Sequence, residues 1–219
     1  MSEKKPEPKI AFAYPGQGSS RPQMAAKTVS EKEYGPLFDY GADILREEGF
    51  DVDLRELCFR QEEPIVGQLD NQLAIYMTNY AADKHLQKKM SVSPDYVVGH
   101  SIGEYNAFIG SRVLDLSYAL PLVAHRATAM EDAASQMPEA GGIAVITRLS
   151  SEIVEKLVEK HDAEIGNYNN PEQTTAVGLQ TQLDAIAQEV EKIRAEQGDR
   201  RIRFIQLEGV NVPVHSRWM

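Results

Sequence analysis

The sequence predicts an α/β fold built from two substructures, and three observations lead to that reading. A short apolar run ends at a glycine-punctuated loop. A serine stands between two glycines just after a second short run. Beyond residue 138 strand-like and helical segments follow one another in a β-α-β-β-α-β order.

Lys9 to Tyr14 has strand character and stops at Pro15-Gly16-Gln17-Gly18. Pro36 to Glu48, Asp53 to Arg60 and Gln68 to Met90 carry apolar residues at helical spacing; in the last these include Leu69, Leu73, Tyr76, Met77 and Tyr80. Asp95 to Val98 is too short for a helix and leads into Gly99-His100-Ser101-Ile102-Gly103-Glu104. Helical spacing then resumes through Phe108 and again from Asp115 to Met130, which puts Ser101 at a strand-to-helix turn. Gly141-Gly142 reads as a hinge. Strands are expected over 143–147, 163–168, 174–179 and 202–207, with helices over 150–160 and 182–197 and Ser150 as an N-cap.

Composition bounds the function. The 219 residues are 42% hydrophobic, enough for a sizeable core, and carry a formal net charge of -10. An acidic surplus argues against a nucleic-acid partner, because phosphate binding needs clustered Lys and Arg. The charged, proline-containing first eight residues lack the apolar run of a signal peptide and read as disordered. No stretch approaches the roughly 20 apolar residues of a membrane span, so a cytoplasmic protein with no membrane partner is expected. Cys58 is the single cysteine; it cannot form an intrachain disulfide and reads as buried and inert.

A serine flanked by glycines on a sharp turn exposes its hydroxyl and aims the N–H groups of the following helix at a developing oxyanion. It needs a base, and five histidines are available. His85 and His161 lie among lysines and read as solvated, and His100 beside the serine points elsewhere and reads as structural. His215 stands in the loop Val212-Pro213-Val214-His215-Ser216; the residues alone leave it open as an ordinary loop histidine. Arg126 has small or apolar neighbours and needs an anionic partner, either a substrate or an internal Asp or Glu.

Pro15-Gly16-Gln17-Gly18, Gly99-His100-Ser101-Ile102-Gly103-Glu104, Arg126, Asn167-Tyr168-Asn169-Asn170-Pro171 and Val212-Pro213-Val214-His215-Ser216 occur in one order. Together they resemble the family of malonyl-CoA:acyl-carrier-protein transacylases and polyketide synthase acyltransferases, over nearly the whole chain. Gly103-Glu104-Tyr105-Asn106-Ala107 is similar to free-standing members that serve polyketide synthases. The resemblance implies Ser101 as nucleophile, His215 as its base, the N–H groups of Gln17 and Ile102 as oxyanion hole, and Arg126 as ligand of the malonyl carboxylate. It also implies Gln72 in the shaping of that pocket and Asn169 near the acyl-CoA cleft.

The implied activity is transfer of a malonyl or related group from coenzyme A to the phosphopantetheine thiol of an acyl carrier protein, in fatty-acid or polyketide synthesis. No metal and no cofactor is expected. A serine hydrolase or thioesterase is the competing enzymatic reading, although such folds reach their nucleophile after several strands in close succession. A non-catalytic carrier-protein docking module is the competing reading of another class. The resemblance favours malonyl over methylmalonyl, because Ile102, after the nucleophile, is apolar like the leucine common in malonyl-selective members.

The implied fold is α/β. A hydrolase-like large subdomain over 1–138 and 203–219 has a ferredoxin-like small subdomain, 139–202, inserted in it. The resemblance further implies that a C-terminal part of the large subdomain, with the carbonyl that orients the histidine, lies beyond these residues.

Overall fold

A computed structural model describes residues 9–207 and 210–219, so the disorder expected of the first eight residues lies outside the described residues. The fold is mixed α/β and divides into two compact units, 1–127 and 128–219.

In the first unit β1 (Ala11–Tyr14) and β2 (Tyr96–Gly99) pair in parallel, from Ala11 opposite Tyr96 to Tyr14 opposite Gly99. Alternation along β1 turns Phe12 and Tyr14 inward. The Asp95 carboxylate closes the start of the pair, accepting from the Ile10 N–H at 2.9 Å and from Lys9 Nζ at 2.8 Å.

Helix α1 (Glu31–Glu47) begins well before Pro36, where the apolar pattern alone would start it. The carbonyl of Ser30 accepts from the N–H groups of Glu33 and Tyr34, and Glu31 and Glu33 favour the positive end of the helix. Asp53–Arg60, expected as a helix, is helical from Leu54 onward, with its last five residues, Glu56–Arg60, wound more widely as a π-helix and the Asp53 carboxylate capping the N–H of Glu56. Helix α2 (Gln68–Met90) has the expected bounds. Nearly every residue of its first half is buried, from Gln68 through Asn79, so it is an interior helix rather than an amphipathic surface one. Helix α3 (Gly103–Gly110) follows β2 after the three residues His100, Ser101 and Ile102.

Helix α4 (Leu116–Ser135) runs through the division between the units. The core of the first unit joins Phe38, Leu45, Leu54, Leu73, Tyr76, Met77, Ile102 and Leu120.

In the second unit the elements are β3 (Gly141–Thr147), α5 (Ser151–Lys160), β4 (Glu164–Asn170), β5 (Gln173–Leu179), α6 (Gln180–Gln197) and β6 (Arg203–Gln206). The sheet order is β4-β5-β3-β6 with every neighbouring pair antiparallel, the arrangement of a split β-α-β-β-α-β unit. Gly141 and Gly142 are not a hinge. They lie inside β3, opposite Leu179 and Gly178, and the division into units falls earlier, at 127/128. β6 is hydrogen-bonded to β3, so the boundary expected after residue 202 falls inside a sheet rather than at its edge. Ala144, Ile146, Val154, Leu183, Ile186 and Val190 form the core between sheet and helices. Among the described residues no helix is long and apolar enough to cross a membrane, and no group of three or more His, Cys, Asp or Glu side chains could hold a metal ion.

Candidate active site

Ser101 occupies the turn between β2 and α3 with φ +52, a left-handed conformation that a non-glycine residue adopts at a cost of about 1–3 kcal/mol. The two glycines explain how the turn closes. A Cβ on Gly99 would lie 2.2 Å from the carbonyl of Gly103, and one on Gly103 would lie 2.3 Å from the carbonyl oxygen of Tyr14. The turn is pinned by hydrogen bonds from Gly103 N–H to the His100 carbonyl at 2.9 Å and from Glu104 N–H to the Ser101 carbonyl at 3.0 Å. Ile102, wholly buried, anchors the base of the turn in the first unit's core. Its N–H is among the first of α3, where backbone donors have no partner within the helix and the helix dipole favours negative charge.

The loop after β1 is held against the same region. His100 N–H donates to the Tyr14 carbonyl at 3.0 Å, and a Cβ on Gly16 would meet the His100 carbonyl oxygen at 2.7 Å. His100 thus has the structural place expected of it, through its backbone. The Asn79 amide donates to the Pro15 carbonyl at 3.2 Å and to Asn106 Oδ1 at 3.1 Å, while Asn106 donates to the Tyr76 carbonyl at 2.9 Å. These two buried amides tie the Pro15-Gly16-Gln17 loop, α2 and α3 together.

Gln17, Gln72 and Arg126 are brought together by a residue that sequence reading missed. Arg126 donates to Gln72 Oε1, Gln72 Nε2 donates to Gln68 Oε1 at 3.0 Å, and Gln17 Nε2 donates to the same Gln68 oxygen at 3.0 Å. Gln68 precedes Gln72 by four residues on α2, the spacing that places two side chains on one helix face, and that was the available signal. The Arg126 guanidinium lies 5.7 Å from the Tyr105 ring centroid. Burial lowers its pKa, while Tyr105 and Glu104 act in the opposite direction. A half-buried guanidinium whose side-chain hydrogen bond goes to a neutral amide keeps its charge available for an anion.

His215 and Asn169 belong to the second unit. His215 is exposed, with φ +66, at the end of a segment whose Val212 and Val214 are buried against Met130, Ile143 and Val177. Ser216 Oγ donates to the Pro213 carbonyl at 2.5 Å. Beyond it Arg217 pairs with Asp162 at 2.7 Å and with Glu164 at 3.3 Å. Asn169 is exposed near the end of β4, at an irregularity of its pairing with β5 between Tyr168 and Asn170. His85 is partly buried and packs edge-on against Tyr34, with centroids 5.5 Å apart, so it is less solvated than its lysine neighbours imply. Cys58 is fully buried, and desolvation pushes its thiol pKa up.

A family model described as "Acyl transferase domain" matches residues 11–219. A polyketide biosynthesis malonyl CoA-acyl carrier protein transacylase of Bacillus subtilis is 28% identical over 214 residues, covering 96% of this chain and 68% of its own. Among solved structures, malonyl-CoA:acyl carrier protein transacylase of Helicobacter pylori is 27% identical with a TM-score of 0.79, over 96% of this chain and 64% of that one. A malonyl-transacylase in complex with its type II polyketide synthase acyl carrier protein is 25% identical with a TM-score of 0.77, over 97% and 66%. The chain spans about two thirds of the length of these relatives. With the serine elbow, the two interlocking glycines and the match from residue 11 to residue 219, the chain belongs to the acyl transferase domain family.

Proposed function

We propose that the chain moves a malonyl or related acyl group from coenzyme A, through an ester on Ser101, to the phosphopantetheine thiol of an acyl carrier protein, in fatty-acid or polyketide synthesis in the cytoplasm. The observation that carries the reading is the pairing of an αL serine at a strand-to-helix turn with an arginine hydrogen-bonded to a neutral amide in the same unit. The first is a nucleophile geometry, and the second suits a carboxylate on the acyl group.

Ser101 Oγ attacks the thioester carbonyl and gives its proton to His215. The carbonyl oxygen, now an anion, is held by the N–H groups of Gln17 and Ile102. The C–S bond breaks, the thiol of coenzyme A leaves with the proton from His215, and the acyl group remains on Ser101. The thiol of the carrier protein then attacks that ester by the same steps in reverse roles. Neither metal nor cofactor enters this chemistry. Arg126, supported by Gln72, binds the free carboxylate, and Asn169 lies toward the acyl-CoA cleft. In fold terms the first unit corresponds to a hydrolase-like subdomain and the split β-α-β-β-α-β unit to a ferredoxin-like one.

The test is intact mass after incubation with malonyl-CoA, followed by addition of a holo acyl carrier protein. Wild-type protein gains one malonyl group and passes it to the carrier, and S101A gains none. Labelling of S101A overturns the nucleophile assignment. Release of free malonate at the same rate with and without carrier protein supports the hydrolase reading instead.

A further inference from the structure

Resting on the acyl-transfer reading above, we propose that Gln68 is a positioning residue that fixes the amide orientations of Gln72 and Gln17, and so sets the preference for carboxylated acyl groups. A guanidinium has donors only, so the Gln72 amide must present Oε1 to Arg126 and turn its NH₂ away. That NH₂ sits in a fully buried side chain and needs an acceptor. The Oε1 of Gln68, a residue 3% exposed, supplies it at 3.0 Å and accepts from Gln17 Nε2 at the same distance. One oxygen thereby takes two donors, and the direction of every amide in the chain Gln17, Gln68, Gln72 follows from the fixed polarity of Arg126.

The backbone prepares this role. Gly67 has φ +86 and ψ 156, a region open essentially to glycine alone, and it lets Gln68 enter α2 as its first residue, one helical turn before Gln72. Gln68 therefore links the loop that presents the Gln17 N–H to the arginine at the carboxylate end of the acyl group. Without its oxygen, the Gln72 amide loses the partner that keeps Oε1 toward Arg126. A flipped amide would set NH₂ against the guanidinium, and a displacement of about 1 Å in a positioned group can cost on the order of a hundredfold.

The experiment measures kcat/KM of acyl-enzyme formation with malonyl-CoA and acetyl-CoA for wild type, Q68L, R126A and the double variant, each with a thermal melt. Q68L is expected to lower the malonyl-to-acetyl ratio roughly tenfold, and the double variant to match R126A within about twofold, since both changes act through one clamp. If Q68L slows both substrates equally and leaves the ratio unchanged while R126A lowers it, Gln68 is merely structural and the proposal is overturned. Should Q68L be unfolded by its melt, Q68M, of the same length and without the amide, is read against the same ratio. Wild type that takes up neither acyl group, or an R126A ratio equal to wild type, would overturn the reading of Arg126 itself, and the proposal with it.

Discussion

Arg126 donates its hydrogen bond to Oε1 of Gln72, a neutral amide that is wholly buried on α2. A carboxylate at that place would neutralise the guanidinium; a neutral amide orients it and leaves its charge in place. The Tyr105 ring lies 5.7 Å from the guanidinium and adds a face that tolerates a cation.

Removal of the guanidinium should therefore change selectivity more than turnover. R126A is expected to lower the preference for malonyl over acetyl by roughly 10- to 150-fold, from about 1.5–3 kcal/mol for a charge-assisted hydrogen bond shielded from water. Competition between malonyl-CoA and acetyl-CoA, read by intact mass, checks it. A preserved ratio would make Arg126 a structural residue of α4.

The elbow glycines should tolerate no methyl group. G103A places a Cβ 2.3 Å from the Tyr14 carbonyl oxygen, a clash with backbone that only movement of β1 or α3 could relieve. A loss of about 3 kcal/mol or more in denaturant unfolding, with loss of Ser101 acylation, is expected. G18A is the control, because a Cβ there meets nothing within 4 Å, and its stability should stay close to wild type. Equal stability of G103A and G18A would contradict the described turn.

Asn106 should matter for stability and for the loop it helps to hold. It is 2% exposed, donates to the Tyr76 carbonyl and accepts from Asn79, so N106L leaves a buried carbonyl and a buried amide short of partners. The cost should be about 1–3 kcal/mol in urea unfolding. A neutral effect would mean that Asn79 and Pro15 are held by other contacts.

Cys58 should report global unfolding. Its side chain is fully buried and desolvation raises the thiol pKa, so little thiolate is present at neutral pH. Iodoacetamide should leave native protein unmodified and label it with the midpoint of the denaturant transition. Rapid labelling of native protein would show that the segment around Glu56–Arg60 opens locally.

Much of this protein is legible in its sequence. The bounds of α2, the strand-turn-helix setting of Ser101 and the β-α-β-β-α-β order follow from apolar period, glycine and proline placement, all of which act within a few residues along the chain. One local reading failed for a tertiary reason. Gly141 and Gly142 pass for a hinge until β5 supplies the strand they pair with.

The candidate site divides along the same line. Ser101, Gln17, Ile102, Arg126, Gln72, His215 and Asn169 could be named as candidates because motifs that occur in one order along the chain resemble those of a family. Gln68 could not. Its importance depends on Gln17, 51 positions away in the chain, which shares its oxygen with Gln72, and on an arginine 54 positions from Gln72, and only folding links the three through hydrogen bonds. Sequence by itself determined which groups could do acyl chemistry and which strands and helices would carry them. Tertiary structure alone decided the direction in which each buried amide points, because an amide's two ends are chemically distinct only once their partners are fixed in space.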